Sequence, residues 1–340
     1  MATKKVLVAY ATKGMNGSAY HRLHVPAMML RHHGVEVTHV EDFLDMPERR
    51  LKEFCAVIVN GQLTGKAANP AQANPLFFFH EAARRVRESG IHVILDIDDM
   101  WNVGVSHPHY AMRTALHQRS AVVLSMMLSS AIWCSTEALL SAVQKLVTGE
   151  TIFLVPNGIS VHDKQWAKVA RTVSTDIRFG VVCNETHVPD LPRLREALRK
   201  MRKMPGWRIV AMGVSDDQRK VVAKELGTDR IEYRPWLPPS KYVQHFEHID
   251  VLLCPLSHNE FNRYRSDLKL AECASAGIPV LCEPWGPYSG SRFVVKDWLR
   301  ELPTFVLAPE KFAKMVPNPA RFGTDESDRM RLKTLKMLEK

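Results

Sequence analysis

Residues 263–288 read RYRSDLKLAECASAGIPVLCEPWGPY, a charged helix followed at once by an apolar strand. Ser266 suits an N-cap and Asp267 a first turn, and apolar residues then run to Gly277, which ends the helix before Pro279 opens the strand. The expected helix spans 267–276. At helical spacing Lys269, Glu272, Cys273 and Ala276 share a face. Arg265 and Lys269 stand at the end where the macrodipole already presents positive charge and free N–H groups, which suits a bound anion. A phosphate or diphosphate near Ser266 would be held by those amides with Arg265 and Lys269. One turn on, the Glu272 carboxylate could then accept from a pair of ribose hydroxyls. The same spacing fits a solvent-facing Lys–Glu pair worth a few tenths of a kcal/mol. Spacing alone leaves both readings open.

Outward from this segment, short β-branched runs alternate with helical patterns. KKVLVAYA (4–11), VEVTHVE (35–41), FCAVIVNG (54–61), IHVILDIDD (91–99), SSAIWCST (129–136) and TIFLVPNG (151–158) read as one set of strands. IRFGVVCN (177–184), WRIVAMG (207–213), DRIEYRPW (229–236), IDVLLCP (249–255) and IPVLCEP (278–284) read as a second. Such alternation implies parallel sheets with helices on both faces, an α/β fold of two doubly wound Rossmann-like domains. The polar stretch 160–175 separates them, giving domains 1–170 and 171–308. A charged helical tail, 309–340, is expected to pack back on the first domain or to fray. Open α/β sheets bind ligands beyond the carboxyl ends of their strands, so two facing sheets place a ligand in a cleft.

The 340 residues suit two domains, and 46% hydrophobic with 24% charged residues excludes a disordered or fibrous chain. No stretch approaches the ~20 apolar residues of a membrane span, and MATKKVLVAYAT runs into a strand without a signal-peptide layout. A cytoplasmic location is expected, with peripheral membrane contact left open. Cys55, Cys134, Cys183, Cys254, Cys273 and Cys282 stand singly in apolar segments, without CxxC spacing, and read as reduced buried thiols. A net charge of +10 narrows the partner to something acidic: nucleic acid, lipid headgroups or a phosphorylated small molecule. The basic stretch RLREALRKMRK (193–203) reads as a solvated helix face or a phosphate-tracking surface, and no aromatic residue interrupts it.

The segment S-D-L-K-L-A-E-C-A-S-A-G-I-P-V-L with W-G-P-Y after it resembles the nucleotide-sugar-binding signature of GT-B glycosyltransferases of the retaining family-4-like group, phage and bacterial members among them. G-S-A-Y-H-R-L with Pro26 after it, D-I-D-D-M-W (96–101), V-P-N-G-I (155–159), T-H-V-P-D-L (186–191) and F-x-x-I-D-V-L-L-C-P-L ending at Leu256 follow in that group's order. The resemblance implies a GT-B fold and a nucleoside-diphosphate sugar, UDP-hexose being the usual donor, bound by the second domain. By position Glu272 would hold the ribose, Ser266 and Lys269 the phosphates, and Gly286, Pro287 and Tyr288 a loop beside the sugar or base. The Gly14–Ser18 loop, with Gly17 and Ser18, would approach the diphosphate. Eight residues before Glu272 the group often has a second glutamate; here Tyr264 stands there, leaving Asn262 or Arg265 to contact the sugar. The resemblance implies retaining transfer without a metal or other cofactor, the diphosphate being stabilised by the helix dipole and basic side chains.

The acidic strand end VILDIDDMW admits three chemistries. A D-x-D can hold a divalent metal on phosphate, or supply the aspartyl nucleophile of a dehalogenase-like phosphatase, although Asp99 occupies the place of that motif's Thr or Val. In the GT-B reading Asp98 and Asp99 lie on the acceptor side and orient a hydroxyl, while a structural reading has either one cap the next helix. His107 and His109 in SHPHY are acceptor-side candidates, His187 a loop cap, and His32 and His33 surface residues. The favoured acceptor is phage DNA carrying a hydroxymethylated pyrimidine, flipped from the stack at a cost of ~a few kcal/mol; a lipid-linked or surface glycan is the alternative. A reading from another class is a non-catalytic basic nucleic-acid-binding protein, with salt-sensitive DNA binding and no affinity for sugar nucleotides.

Overall fold

The computed structural model describes residues 5–10, 15–68, 75–105, 107–115, 117–149, 151–160, 163–167 and 169–338. By internal packing the chain divides into two units. The first comprises Met1–His162, Tyr264–Ser266 and Thr324–Lys340; the second comprises Asp163–Arg263 and Asp267–Gly323. The sequence reading set the division at residue 170 and grouped 309–340 as one tail; packing sets it at His162/Asp163 and splits the tail at Gly323/Thr324.

The first unit is built on β1 (Lys5–Ala9), β2 (Glu36–Val40), β3 (Ala56–Asn60), β4 (His92–Ile97), β5 (Ala131–Cys134) and β6 (Ile152–Leu154). They form one parallel sheet in the order β2-β1-β3-β4-β5-β6. The interior strands β1, β3, β4 and β5 carry near-continuous apolar runs because helices cover a parallel sheet on both faces. Val6, Val8, Ile58, Ile94 and Trp133 form a core with Leu23 and Leu30 before β2 and with Leu335 from the helix Asp325–Met337. The Trp133 indole N–H donates to Thr334 Oγ1 at 3.1 Å and Ser327 Oγ donates to the Pro156 carbonyl at 2.8 Å, so this helix is part of the first unit's core.

The second unit carries β7 (Ile177–Val182), β8 (Trp207–Met212), β9 (Ile231–Arg234), β10 (Val251–Cys254) and β11 (Val280–Cys282), all parallel, in the order β11-β10-β7-β8-β9. Phe179, Val181, Ile209, Leu253 and Leu281 pack there against Leu194, Leu198 and the helix Trp298–Leu307. In the first sheet the direction of winding reverses between β1 and β3, and in the second between β7 and β10. Loops after the carboxyl ends of these strands are where doubly wound sheets place ligands.

Candidate active site

In the second unit the chain leaves β10 and reaches the helix Leu268–Ala276, which Gly277 closes in the left-handed region at φ 64°. The expected N-cap is corrected. Asp267 occupies the cap position, with no side-chain capping bond, and Ser266 Oγ accepts a hydrogen bond from Asn157 Nδ2 at 2.8 Å instead. Lys269 and Glu272 do meet: the ammonium lies 2.8 Å from Glu272 Oε2, 3.0 Å from the Tyr242 hydroxyl and 4.8 Å from the Tyr242 ring centre. Glu272 is buried, only 1% exposed, and Lys269 is partly buried, so the pair is not a solvent-facing one. Burial pushes the Glu272 carboxyl up, with Lys269 opposing; burial works against the Lys269 charge, but Glu272 and Tyr242 outweigh it and raise the lysine. Tyr242 is a site residue the sequence did not reveal, since it is 27 positions from Lys269.

Gly286, Pro287 and Tyr288 form a short 3₁₀ turn beyond β11. Gly286 has φ 55°, and a Cβ there would fall 2.6 Å from the Asn262 carbonyl oxygen, so a side chain is excluded by both conformation and space. Tyr288 is buried beside it. Asn262, a candidate for the sugar, is buried and donates to Asp190 Oδ1 at 2.8 Å and to the Ser257 carbonyl at 2.9 Å. Asp190 also receives the Ser257 N–H at 2.8 Å, which ties the loop after β7 to the loop after β10 at the point of reversal. His187 lies 3.8 Å from Asp190 through Nδ1 and makes no side-chain cap bond. The next loop centres on Glu283, a buried carboxylate that receives Arg193, His258 Nε2 at 3.1 Å and the Trp298 indole N–H, while His258 stacks on Trp285 at 4.6 Å. Periodicity had marked none of these partners.

In the first unit, Gly17 and Ser18 lie in the turn Gly17–Ala19, whose cap Asn16 accepts from the Ala19 N–H at 2.8 Å. Gly14 lies outside the described residues. The turn runs into a π-helical stretch, Tyr20–His24, and then into the helix Val25–His32. Arg22, 0% exposed, points from the π turn to Asp96 at the end of β4, with Nε and one terminal nitrogen each 2.7 Å from a carboxylate oxygen. Its other terminal nitrogen donates to the Val155 carbonyl at 2.7 Å and to Asn157 Oδ1 at 2.8 Å. Asn60 Nδ2, at the end of β3, lies 3.2 Å from Asp96 Oδ1 and 3.0 Å from Asp98 Oδ1.

Among the described residues neither Asp98 nor Asp99 caps a helix; the next helix in the chain is Tyr110–Ala115. Burial, then the neighbouring Asp98, push the Asp99 carboxyl up to about 7, against the pull of Arg265 and Arg113. Arg113 donates to the Met100 carbonyl at 3.2 Å. His107 is buried, and its Nδ1 accepts the His109 N–H at 3.1 Å; burial and then Arg113 pull His107 down to about 4, so it is neutral at pH 7. Packing thus brings Asp98, Asp99, His109, Arg265 and Ser266 into the first unit, and Lys269, Glu272, Gly286, Pro287 and Tyr288 into the second. Among the described residues no group of three or more His, Cys, Asp or Glu is arranged to hold a metal ion.

The stretch 193–203 reads as a partnered helix face. Ala197, Leu198 and Met201 are buried, Arg195 pairs with Glu225 at 2.6 Å and Arg199 with Glu196 at 2.9 Å. Among the described residues no helix is long and apolar enough to cross a membrane.

Two parallel, doubly wound Rossmann-like units in one chain define the GT-B architecture. Residues 192–301, the greater part of the second unit's site, match the profile of a family described as glycosyl transferase-like. Among solved structures, a glycosyltransferase from Rickettsia africae ESF-5 aligns over 100% of both chains with a TM-score of 0.63 at 10% identity. A sucrose-phosphate synthase from Thermosynechococcus elongatus aligns over 99% of both with a TM-score of 0.62 at 10% identity. A UDP-GlcNAc 2-epimerase from Neisseria meningitidis, bound to UDP-GlcNAc, aligns over 98% of this chain and 100% of its own with a TM-score of 0.56 at 13% identity. No curated protein matches the sequence significantly. The chain therefore has the GT-B fold, and within it residues 192–301 are similar to the glycosyl transferase-like family.

Proposed function

We propose that the protein is a retaining, metal-independent glycosyltransferase that moves a hexose from UDP-hexose to a hydroxyl acceptor. The observation that carries the reading is the buried Lys269–Glu272 pair on the helix after β10, inside the glycosyl transferase-like stretch. A carboxylate at 1% exposure with a fixed lysine is held in one orientation, ready to accept from two ribose hydroxyls. Arg265, Ser266 and the first amides of the helix Leu268–Ala276 take the diphosphate, where the positive helix end and a guanidinium stabilise the departing charge. Gly17 and Ser18 are further candidates for the diphosphate, and the Gly286–Tyr288 turn borders the sugar. Asp99 accepts the acceptor's proton, with Asp98 and His109 orienting the hydroxyl. The structurally similar 2-epimerase bound to UDP-GlcNAc supports UDP as the nucleotide.

The acceptor we propose first is DNA bearing a hydroxymethylated pyrimidine, supported by the net charge of +10. The exposed apolar side chains of Leu76, Phe77, Val105 and Met112 in the first unit favour a lipid-linked acceptor as the second reading. Thermal stabilisation by UDP, GDP and CDP tests the donor site, since a ligand at a hundred times its Kd stabilises by roughly 2.7 kcal/mol. A shift with UDP, unchanged by EDTA and absent in Glu272→Ala, is the expected result; no shift with any nucleotide would sink the reading. Transfer of labelled sugar to hydroxymethylated DNA against lipid-linked glycan then selects the acceptor.

A further inference from the structure

The Arg22 network holds more than the fold requires. A buried ion pair is weak support for stability, because the desolvation of two charges offsets most of their attraction. Here every nitrogen of a fully buried guanidinium donates in a specific direction. One arm grips Asp96 through two 2.7 Å bonds, and Asn60 carries that grip to Asp98 at 3.0 Å. The other arm takes the Val155 carbonyl and Asn157, and Asn157 Nδ2 donates to Ser266 Oγ at 2.8 Å. Thr136 Oγ1 donates to the Tyr264 carbonyl at 3.2 Å, fixing the other end of the Tyr264–Ser266 segment, which runs straight on into the helix carrying Lys269 and Glu272. The guanidinium is delivered by a π-helical turn, a distortion that recurs at functional sites.

We propose that Arg22 is a positioning residue for sugar transfer: one arm sets the acidic strand end at Asp98 and the other sets the Tyr264–Ser266 segment, in a single geometry. This rests on the glycosyltransferase reading. A lysine keeps the charge but cannot span both arms, since its ammonium is a single point where the guanidinium is a planar fork. Neither arm touches the Lys269–Glu272 pair, so the ribose contact is left alone and UDP still binds; Ser266 at the diphosphate is the one donor-site contact the network shares.

The test measures UDP-induced thermal shift, together with kcat and KM for UDP release from UDP-glucose or UDP-N-acetylglucosamine, whichever is turned over, with hydroxymethylated DNA or water as acceptor. Arg22→Lys is expected to keep the UDP shift, hold KM within about threefold and lower kcat by roughly 10–100-fold, the usual scale for a residue that orients others. Asn157→Ala and Asn60→Ala leave the buried ion pair intact and each lower kcat by about tenfold. Because Arg22 acts on Ser266 through Asn157, the kcat loss in Arg22→Lys/Asn157→Ala should fall short of the product of the two single losses. Should Arg22→Lys fail to fold, the two asparagine variants decide the matter. A kcat within twofold of wild type in the folded variants, with the UDP shift retained, overturns the proposal alone. A wild type that UDP does not stabilise overturns the donor reading, and this proposal with it.

Discussion

Asp99 and the Lys269–Glu272 pair are the residues whose ionisation decides most. With its carboxyl pushed up to about 7, Asp99 changes charge across the neutral range, and a base must be ionised to act. Turnover is expected to rise with pH through about 7, and Asp99→Asn to lose ~10²–10⁴-fold while abolishing that inflection. The sign for stability is opposite. A carboxyl near 4 when unfolded and near 7 when folded contributes stability that is present below pH 4 and lost as pH rises through 7. Asp99→Asn should therefore melt about 2–4 °C above wild type at pH 8 and show no gain at pH 4, read by thermal scans. For the pair, Lys269→Met strands a buried carboxylate and should cost about 3–5 kcal/mol at pH 8 in urea unfolding. Acidification lets Glu272 protonate and narrows that deficit, and Lys269→Met/Glu272→Gln recovers most of it at every pH. A deficit that is independent of pH would show that the loss is of packing and not of charge.

Secondary elements were the most legible level. The interior strands β1, β3, β4, β5, β7, β8 and β10 fall in near-continuous apolar runs, because a parallel strand covered on both faces has no polar side to blur the pattern, and the edge strands β2 and β9 were legible from their β-branched and aromatic residues and turn signals. Partners were illegible where sequence separation hides them. Arg22 and Asp96 are 74 positions apart, and Asn157 and Ser266 are 109 apart. Ser266 was misread as a cap for that reason: its local chemistry suited the role, but a distant amide had taken the hydroxyl. Gly286 shows the same limit, since W-G-P-Y advertises a turn but not that Asn262 forbids a side chain there. Gly286→Ala should destabilise by roughly 1–3 kcal/mol and shift the turn, whereas Gly290→Ala, in open space, should be tolerated. At the helix Asp325–Met337, Leu335→Ala leaves a cavity in the first unit's core and should cost about 2–5 kcal/mol in urea unfolding.

At the scale of the whole molecule, the two parallel sheets followed from alternation, while their strand order and the membership of each unit did not. Alternation says which neighbours share a sheet; it is silent on a segment such as Tyr264–Ser266 that is held by hydrogen bonds from residues in the 130s and 150s. If the second unit binds nucleotide independently of the first unit's charge network, UDP should protect the amides of β7–β11 from hydrogen exchange equally in wild type and Arg22→Lys. Protection lost in Arg22→Lys would mean that Arg22 acts on the nucleotide site as well. The net charge of +10 sets a further expectation: any DNA binding should weaken steeply between 50 and 200 mM salt.

The helix Asp325–Met337 completes the first unit's core, although its residues follow those of the second unit in the chain. On a translating ribosome, Trp133 emerges long before Thr334. At about 5–20 residues per second the gap of 201 positions corresponds to roughly 10–40 s. The unit begun first is thus completed after its neighbour's polypeptide has been made. During that interval the core around Trp133 and Val8 lacks the side that Leu335 and Thr334 later supply.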